Sequence, residues 1–458
     1  IHETSMKKMP TVSLLVALLV ALVMSGQSGA RNGGEATRFR PGGILVKFKK
    51  GASAAEVQAA LSRRGLPVER DISGIQSLAV PPGQELTIVE GLRRDPSVEY
   101  AELDYLASAM IIPSDPRWHN QWAPAKIGAP AAWEMATGSP EIIISVLDSG
   151  VKLDHPDLAA QIWTNHGEIP ANGLDDDQNG KVDDVHGWHF YHQCSNSTCL
   201  PCEDDDLTDD NGHGTHVAGI ATAETDNEIG IAGISWGAQL MPIKVLDEYG
   251  DGWYSDIIAG IVYATDNGAD IINLSLGGED SSQALQDAVS YSHANGVLLV
   301  AATGNSGGAV LYPAACDHVL AVGATDVNDL RPGFSNHGPE IDVTAPGVSI
   351  YSTWPRLDGY WYKSGTSMAA PHVAGLAALI WSVRPEASND YVAWAITHTA
   401  LDLGTADWDE FYGWGRIDAY QALLGLGRFR VYLPVVGQVG QDATLSLSYV
   451  MGDEQPVR

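Results

Sequence analysis

This sequence predicts an α/β protein, a parallel sheet with helices on both faces, preceded by a small separate α+β unit. Three observations carry that expectation. Residues 141–148, 239–246, 270–275, 296–301 and 320–324 are near-continuous apolar runs of strand length, and strands buried on both faces read this way instead of alternating. Helical spacing fills most of the intervals between them, as at 256–267 and 284–295, and strand–helix alternation builds parallel sheets. Upstream, residues 31–110 hold shorter strand and helix patterns in a stretch too small for such a sheet.

Composition sets the outer bounds. At 458 residues the chain is long enough for two or three domains. Its formal charge of −31 argues against nucleic acid as a partner and for a soluble acidic surface, whose self-repulsion bound cations would relieve. Four cysteines, three of them clustered at Cys194, Cys199 and Cys202, are too few for a disulfide-dense scaffold.

At the start, Met6-Lys7-Lys8, the apolar run 12–24 and Ser28-Gly29-Ala30 have the order of a secretory signal peptide. Residues 1–30 are assigned to it, with Met6 as the start and an uncleaved anchor as the alternative. No other segment reads as long and apolar enough to cross a membrane. Within 31–110, Gly43-Ile44-Leu45-Val46-Lys47-Phe48 reads as a strand and 54–64 as a helix ending at Gly65. A strand at 76–80, a helix at 86–94 and a strand at 98–102 follow, which together make two helices over a small antiparallel sheet. The five apolar strands begin beyond Pro113-Ser114-Asp115-Pro116 and a helical run near Ala131-Ala132-Trp133. Sites in such sheets lie past the strands' carboxyl ends, and Asp148, Ser275 and Asn305 fall there. The large unit, 111–427, closes after Gly413-Trp414-Gly415-Arg416-Ile417-Asp418-Ala419, and 428–458 is a tail too short for a domain.

Gly365-Thr366-Ser367-Met368 runs directly into an apolar helical pattern through Trp381, which puts Ser367 near a helix N-terminus. Backbone N–H groups there lack intrahelical partners, and the dipole favours negative charge. A serine so placed can attack a carbonyl while the same helix end holds the oxyanion. Pro371 fits as an early-turn residue with no N–H partner to lose. A capped core helix with a merely structural Ser367 is the alternative, and it needs no base. A hydroxyl nucleophile does need one; imidazole suits the task, and the imidazole needs a buried acceptor. Asn211-Gly212-His213-Gly214-Thr215-His216 supplies a histidine at a glycine-rich helix start, and Val146-Leu147-Asp148-Ser149-Gly150 supplies an acid at a strand end. His216 and His372, on the same two helices as His213 and Ser367, read as packing residues.

Asp148, His213 and Ser367 in that order, with Ala301-Ala302-Thr303-Gly304-Asn305-Ser306-Gly307, resemble the subtilisin-type serine proteases, the subtilase family, and its thermitase-like branch in particular, over about residues 115–422. The resemblance implies a secreted serine endopeptidase with a subtilisin-like sheet between helices. It implies that Asp148 orients His213, that His213 activates Ser367, and that Asn305 and the Ser367 N–H hold the oxyanion. Ser275-Leu276-Gly277-Gly278 would pair with an extended peptide substrate. Gly277 would leave room for a sizeable P1 side chain, hence broad specificity with a large apolar P1 preference, Ser306 leaving charge preference open. Residues 31–110 become a ferredoxin-like inhibitory propeptide, an intramolecular inhibitor and chaperone removed by self-cleavage near residues 105–112. Protein or peptide substrates are the implied partners of a monomer without nucleic acid, and without a membrane once the signal is cleaved. A non-cleaving peptide-binding module of the same fold is the rival.

Structural Ca²⁺ is the implied cofactor. The resemblance assigns one ion to side-chain oxygens of Asp115, Asp157 and Asn227 and carbonyls of Thr225, Ile229 and Ile231, a hard-oxygen set suited to calcium. Separately, Asp175, Asp177 and Asn179 at alternate positions before Gly180 read as the front half of an EF-hand-like loop. His186 stands where the closing glutamate belongs; Asp183 or Asp184 could close a shorter loop, and a solvated acidic turn is the alternative. Residues 191–206 read as an insertion relative to the family. Cys194 with Cys199 or Cys202 would form a local disulfide, or the three with His192 a zinc site. Cys316 reads as a buried free thiol, Asn196-Ser197-Thr198 as a glycosylation acceptor in a eukaryotic host, and Glu203-Asp204-Asp205-Asp206 as a solvated loop.

Overall fold

A computed structural model describes residues 39–105, 111–195, 198–356 and 358–425, with backbone alone at 193–195 and 198–201. The expected signal segment, most of the expected maturation region, Asn196 and Ser197, and the 428–458 tail lie outside the described residues. The chain divides into two compact units, residues 1–109 and 110–458.

The first unit runs β1 (Phe39–Phe48), α1 (Ala54–Ser62), β2 (Val68–Ile72), β3 (Ile75–Ala79), α2 (Glu85–Arg93) and β4 (Val98–Tyr105). Its antiparallel sheet has the order β2-β3-β1-β4, the ferredoxin-like arrangement. Ser53 and Glu56 start α1 with a reciprocal capping box. Ile44, Val46, Leu61, Leu78, Val89 and Leu92 form the core. β2 was not expected: every residue of Val68–Ile72 is exposed, so no buried face marks it in the sequence.

The second unit begins with a 3₁₀ turn at Trp118–Asn120, then α3 (Ala123–Lys126), α4 (Ala129–Trp133), β5 (Ile143–Asp148), β6 (Trp188–Ser195), β7 (Thr198–Asp204) and α5 (His213–Thr222). It continues with β8 (Gln239–Lys244), α6 (Tyr254–Asp266), β9 (Ile271–Leu274), α7 (Gln283–Ala294), β10 (Leu298–Ala302) and β11 (Val319–Thr325). β12 (Val343–Pro346), β13 (Ile350–Thr353), β14 (Tyr360–Lys363), α8 (Thr366–Val383), α9 (Asn389–His398) and α10 (Ala419–Gly425) complete it. The sheet order is β12-β11-β10-β9-β5-β8-β6-β7. All neighbours pair in parallel except β7, which runs antiparallel to β6.

Both faces of this sheet are buried, and alternate residues choose the face. Ile144, Val146, Val300 and Val322 pack with α5 and α8, whereas Leu147, Leu299, Ala301 and Ala321 pack with α6 and α7. α8 is itself long and apolar enough to cross a membrane by length and composition, contrary to the expectation that only the N-terminal segment is; 89% of it is buried, as befits a core helix.

One expectation about the 191–206 insertion changes. The acidic run is not simply a solvated loop: Glu203 and Asp204 lie in β7, where Glu203 pairs with Lys181 and accepts from the Trp188 indole at 3.1 Å, and Asp204 meets His189 at 2.9 Å. The backbone register sets Cys194 opposite Cys199 and Cys202 opposite Tyr191.

His216 and His372 are packed, at 0% and 1% exposure, and bond backbone carbonyls. Burial holds their pKa values down, to about 3 and about 4. The unfolded chain protonates a histidine near its ordinary value of 6.5, so this contribution is complete above about pH 6.5 and is lost as pH falls toward those folded values. Each histidine sets a slope of at most about 1.4 kcal/mol per pH unit. Calorimetric melting from pH 7 to pH 4.5 should show stability falling with acid, and His372→Gln should flatten that fall; an unchanged slope would contradict the assignment.

Candidate active site

Asp148 is the last residue of β5 and is fully buried. The His213 ring nitrogen Nδ1 lies 2.7 and 2.9 Å from its two carboxylate oxygens. A carboxylate only accepts, so Nδ1 carries the proton and Nε2 is left with a free lone pair. Ser149 N–H adds a 2.8 Å bond to the same carboxylate. His213 opens α5 after Gly212, whose φ of +99° is left-handed. Gly214 lets that helix end sit on the strand: a Cβ there would collide with the Gly150 carbonyl and lie 3.1 Å from Asp148 Cβ.

Asp209, which the sequence reading missed, holds this helix start in place. Buried at 5% exposure, it accepts from Gly212 N–H at 2.7 Å, Thr215 N–H at 2.8 Å, the Thr215 hydroxyl at 2.6 Å and the Ser149 hydroxyl at 2.8 Å. Burial pushes its pKa up and those four bonds oppose the shift. An acid just ahead of a helix start was the available signal.

Ser367 is the second residue of α8, and its N–H lies in the first turn, where no intrahelical partner exists. Its hydroxyl donates to the Ser275 carbonyl at 3.1 Å, so the bond from Ser367 to His213 is not made here. The Ser275 hydroxyl in turn donates to the Ser367 carbonyl at 2.9 Å and accepts from Asn273 at 2.9 Å. Pro371 explains why that carbonyl needs a donor. It is the sixth residue of α8 rather than an early-turn residue with no bond to lose, and its missing N–H deprives the Ser367 carbonyl of a helical partner.

Asn305 lies just past β10. Its Oδ1 accepts from Thr366 N–H at 2.8 Å and the Thr366 hydroxyl at 3.1 Å, and the latter accepts from Gly304 N–H at 3.1 Å. A backbone N–H can only donate, so Oδ1 must face Thr366, which leaves Nδ2 without a hydrogen-bond partner among the described residues.

A cleft of about 310 Å³ is lined by His213, Leu246, Tyr254, Ser275, Leu276 and Gly277, among others. The backbone groups of Leu276 and Gly277 have no partner among the described residues. Gly278 differs from expectation: it exchanges both backbone bonds with Tyr312 at 2.9 Å, so its pairing capacity is already used.

The first predicted metal set comes together. Asp115 and Asp157 are buried at 3% and 0% exposure, and burial raises both carboxyl pKa values. Asp115 Oδ1 has no partner at all. The carbonyls of Thr225, Ile229 and Ile231 likewise accept no hydrogen bond among the described residues, while Asn227 Oδ1 accepts from Ile229 N–H at 2.7 Å. Such bare oxygens around two buried carboxylates fit a hard cation.

The second set regroups. One carboxylate oxygen each from Glu168, Asp177 and Asp184 lies within 4.8 Å of the others, and this acidic cluster could hold a metal. Asp175 is not among the three: its oxygens accept from Asn179 and Gly180 N–H groups at 3.1 and 2.9 Å and so fold the loop. Asn179 donates to Asp177 and Asp184, at 3.1 and 2.9 Å. Glu168 escaped the sequence reading because it lies ahead of the loop motif.

Sequence and structural comparisons agree with this geometry. A profile described as the subtilase family matches residues 139–415, and one described as the fervidolysin N-terminal prodomain matches residues 26–104. A thermophilic serine proteinase of Bacillus sp. (strain AK1) is 38% identical over 83% of this chain and 87% of its own length. Thermitase of Thermoactinomyces vulgaris is 42% identical over 68% of this chain and 99% of its own. A protease structure from Pseudoalteromonas arctica PAMC 21717 superposes with a TM-score of 0.58 at 32% identity, covering 68% of this chain and 99% of that one.

Ser275→Ala should cost about 1–3 kcal/mol by leaving the buried Ser367 carbonyl without a donor. Added to Pro371→Ala, which restores a helical N–H, it should cost measurably less. Denaturant unfolding of the four proteins in this cycle checks the coupling, and additive effects would refute it.

Proposed function

The chain belongs to the subtilase family and is a subtilisin-like serine peptidase, and from that premise we propose that it is a secreted endopeptidase acting through Ser367, His213 and Asp148. The observation that carries this reading is the two-oxygen grip of buried Asp148 on His213 Nδ1, at 2.7 and 2.9 Å, which leaves Nε2 basic at the rim of the cleft. Rotation of the Ser367 hydroxyl from the Ser275 carbonyl to His213 Nε2 prepares attack, a bond that commonly tightens only with substrate present.

Ser367 Oγ then bonds to the scissile carbonyl carbon as its proton passes to His213. The carbonyl oxygen takes up the negative charge between Asn305 Nδ2 and the Ser367 N–H. His213 gives its proton to the leaving amine, the C–N bond breaks, and water hydrolyses the acyl-enzyme by the same route. Asp148 keeps the imidazole in the right tautomer and balances its transient charge. An extended substrate pairs with the open backbone of Leu276 and Gly277, and its P1 side chain enters beside them.

In this reading residues 1–30 are the signal peptide and 31–110 are an intramolecular inhibitor and folding aid. Residues 111–427 are the catalytic domain and 428–458 a tail. The Asp115, Asp157 and Asn227 side chains with the Thr225, Ile229 and Ile231 carbonyls would hold a Ca²⁺ ion. A second would sit at Glu168, Asp177 and Asp184. When bound, these ions neutralise buried charge and take no part in peptide cleavage.

Wild-type protein should label with a fluorophosphonate and hydrolyse casein. Ser367→Ala should lose both, and Asn305→Ala should lower kcat by about 10²–10³, the magnitude known for the corresponding loss in subtilisin itself. Labelling that persists in Ser367→Ala would sink the assignment of Ser367 as nucleophile, and unlabelled wild type would sink the proposal in favour of a non-cleaving binder. For the first ion, chelation should lower the melting temperature and added calcium restore it; Asp157→Asn should remove the response. Equal melting with and without chelator would count against both ion sites.

A further inference from the structure

Past the ends of β9 and β10 the backbone parts into two walls, residues 275–278 and 303–305, and the Leu311 side chain stands between them. A Cβ built on Gly277 would lie 3.0 Å from Leu311 Cβ and 3.3 Å from its Cδ1. One built on Gly304 would lie 2.8 Å from both Leu311 Cγ and Cδ1. A single leucine therefore closes against both walls, and it does so where each wall has no side chain of its own.

Leu311 is also held there. Its N–H donates to the Thr303 carbonyl at 3.0 Å, on one wall, and the next residue, Tyr312, is paired with Gly278 on the other. The side chain is half-buried, so it borders open space rather than filling core.

The reacting atoms determine what that space receives. With the scissile carbon at Ser367 Oγ, its oxygen toward Asn305 Nδ2 and the substrate backbone along Leu276 and Gly277, the P1 side chain points between the two walls and over Leu311. The glycines supply width, and Leu311 takes away depth. We propose that Leu311 is a specificity-determining residue that shortens the P1 pocket, so that the peptidase favours small apolar P1 side chains such as alanine over the large ones expected from Gly277 alone. One methylene in an apolar pocket changes kcat/KM by roughly 10–200-fold, and phenylalanine exceeds alanine by a whole ring. This inference rests on the serine-peptidase reading above.

Peptide p-nitroanilides that differ only in P1 alanine, leucine or phenylalanine test it, with active enzyme counted by fluorophosphonate titration. The wild type should cleave the alanine substrate at least about tenfold better than the phenylalanine one. Leu311→Gly should raise the phenylalanine-to-alanine ratio of kcat/KM by about tenfold or more; Leu311→Ala, a smaller backbone change, should move it the same way. A wild type that prefers phenylalanine, or variants that titrate as active with an unchanged ratio, overturns the role of Leu311 and leaves the nucleophile reading standing. Wild type that neither titrates nor cleaves strikes the serine-peptidase reading itself, and this inference with it.

Discussion

A helix that begins inside a protein presents N–H groups that nothing within the helix can pair, and α8 begins this way, with Thr366 fully buried and Ser367 at 9% exposure. Its neighbours satisfy most of that demand. Asn305 Oδ1 takes the Thr366 N–H and the Gly365 carbonyl takes the Met368 N–H. The Ser367 N–H is left over, on the residue whose hydroxyl donates to the Ser275 carbonyl. The other backbone group of the same residue is handled too, because Pro371 removes a donor from the Ser367 carbonyl and Ser275, just past β9, supplies one. An unpaired donor and a tied carbonyl on one residue thus follow from the hydrogen bonds at one helix end.

The partner helix α5 is placed by charge rather than by a cap of its own. Asp209 gathers two backbone N–H groups and two hydroxyls at the α5 start, one of the hydroxyls from Ser149 beside Asp148. It therefore ties the histidine-bearing helix to the acid-bearing strand. The two helices then meet at glycine: a Cβ on Gly375 of α8 would lie 2.6 Å from Ile234 Cβ and 3.2 Å from the Ala221 carbonyl of α5. At interior packing density such a contact has little slack. The close packing of α5 and α8 thus depends on a residue without a side chain at this crossing.

The parts of this fold legible in the sequence are those where one residue type suffices. β5, β9, β10 and β11 could be read because burial on both faces puts an apolar residue at nearly every position. β12 and β13 bury Thr344, Ser352 and Thr353 among their four positions each and so show no apolar run, and β7 hides behind charges that find partners only once folded. Asp148, His213, Ser367 and Asn305 were legible because each lies in a glycine-flanked turn of recognisable spacing. Asp209 and Leu311 were not. Their roles depend on approach across the fold, Asp209 to a hydroxyl 60 positions away and Leu311 to two glycines past the ends of separate strands. Pro371 was legible as a residue but misplaced by a turn, and one turn decides whether a carbonyl is orphaned.

The acidity of the chain bears on the same machinery. A net charge of −31 opposes compaction, and the opposition is most acute where carboxylates are buried together, as Asp115 and Asp157 are. Protonation is one relief, and the raised pKa of each points that way. Yet protonation leaves the Thr225, Ile229 and Ile231 carbonyls bare, and a cation would answer both needs at once. The loop that carries them begins three residues after α5 ends, and Tyr360 ties Asp157 to β14, the strand that leads into α8, with a 2.9 Å bond. A cation held there would brace the far end of the histidine helix and the approach to the serine helix together. One electrostatic support would then serve both helices, because the loop that relieves buried charge is continuous with the elements that carry His213 and Ser367.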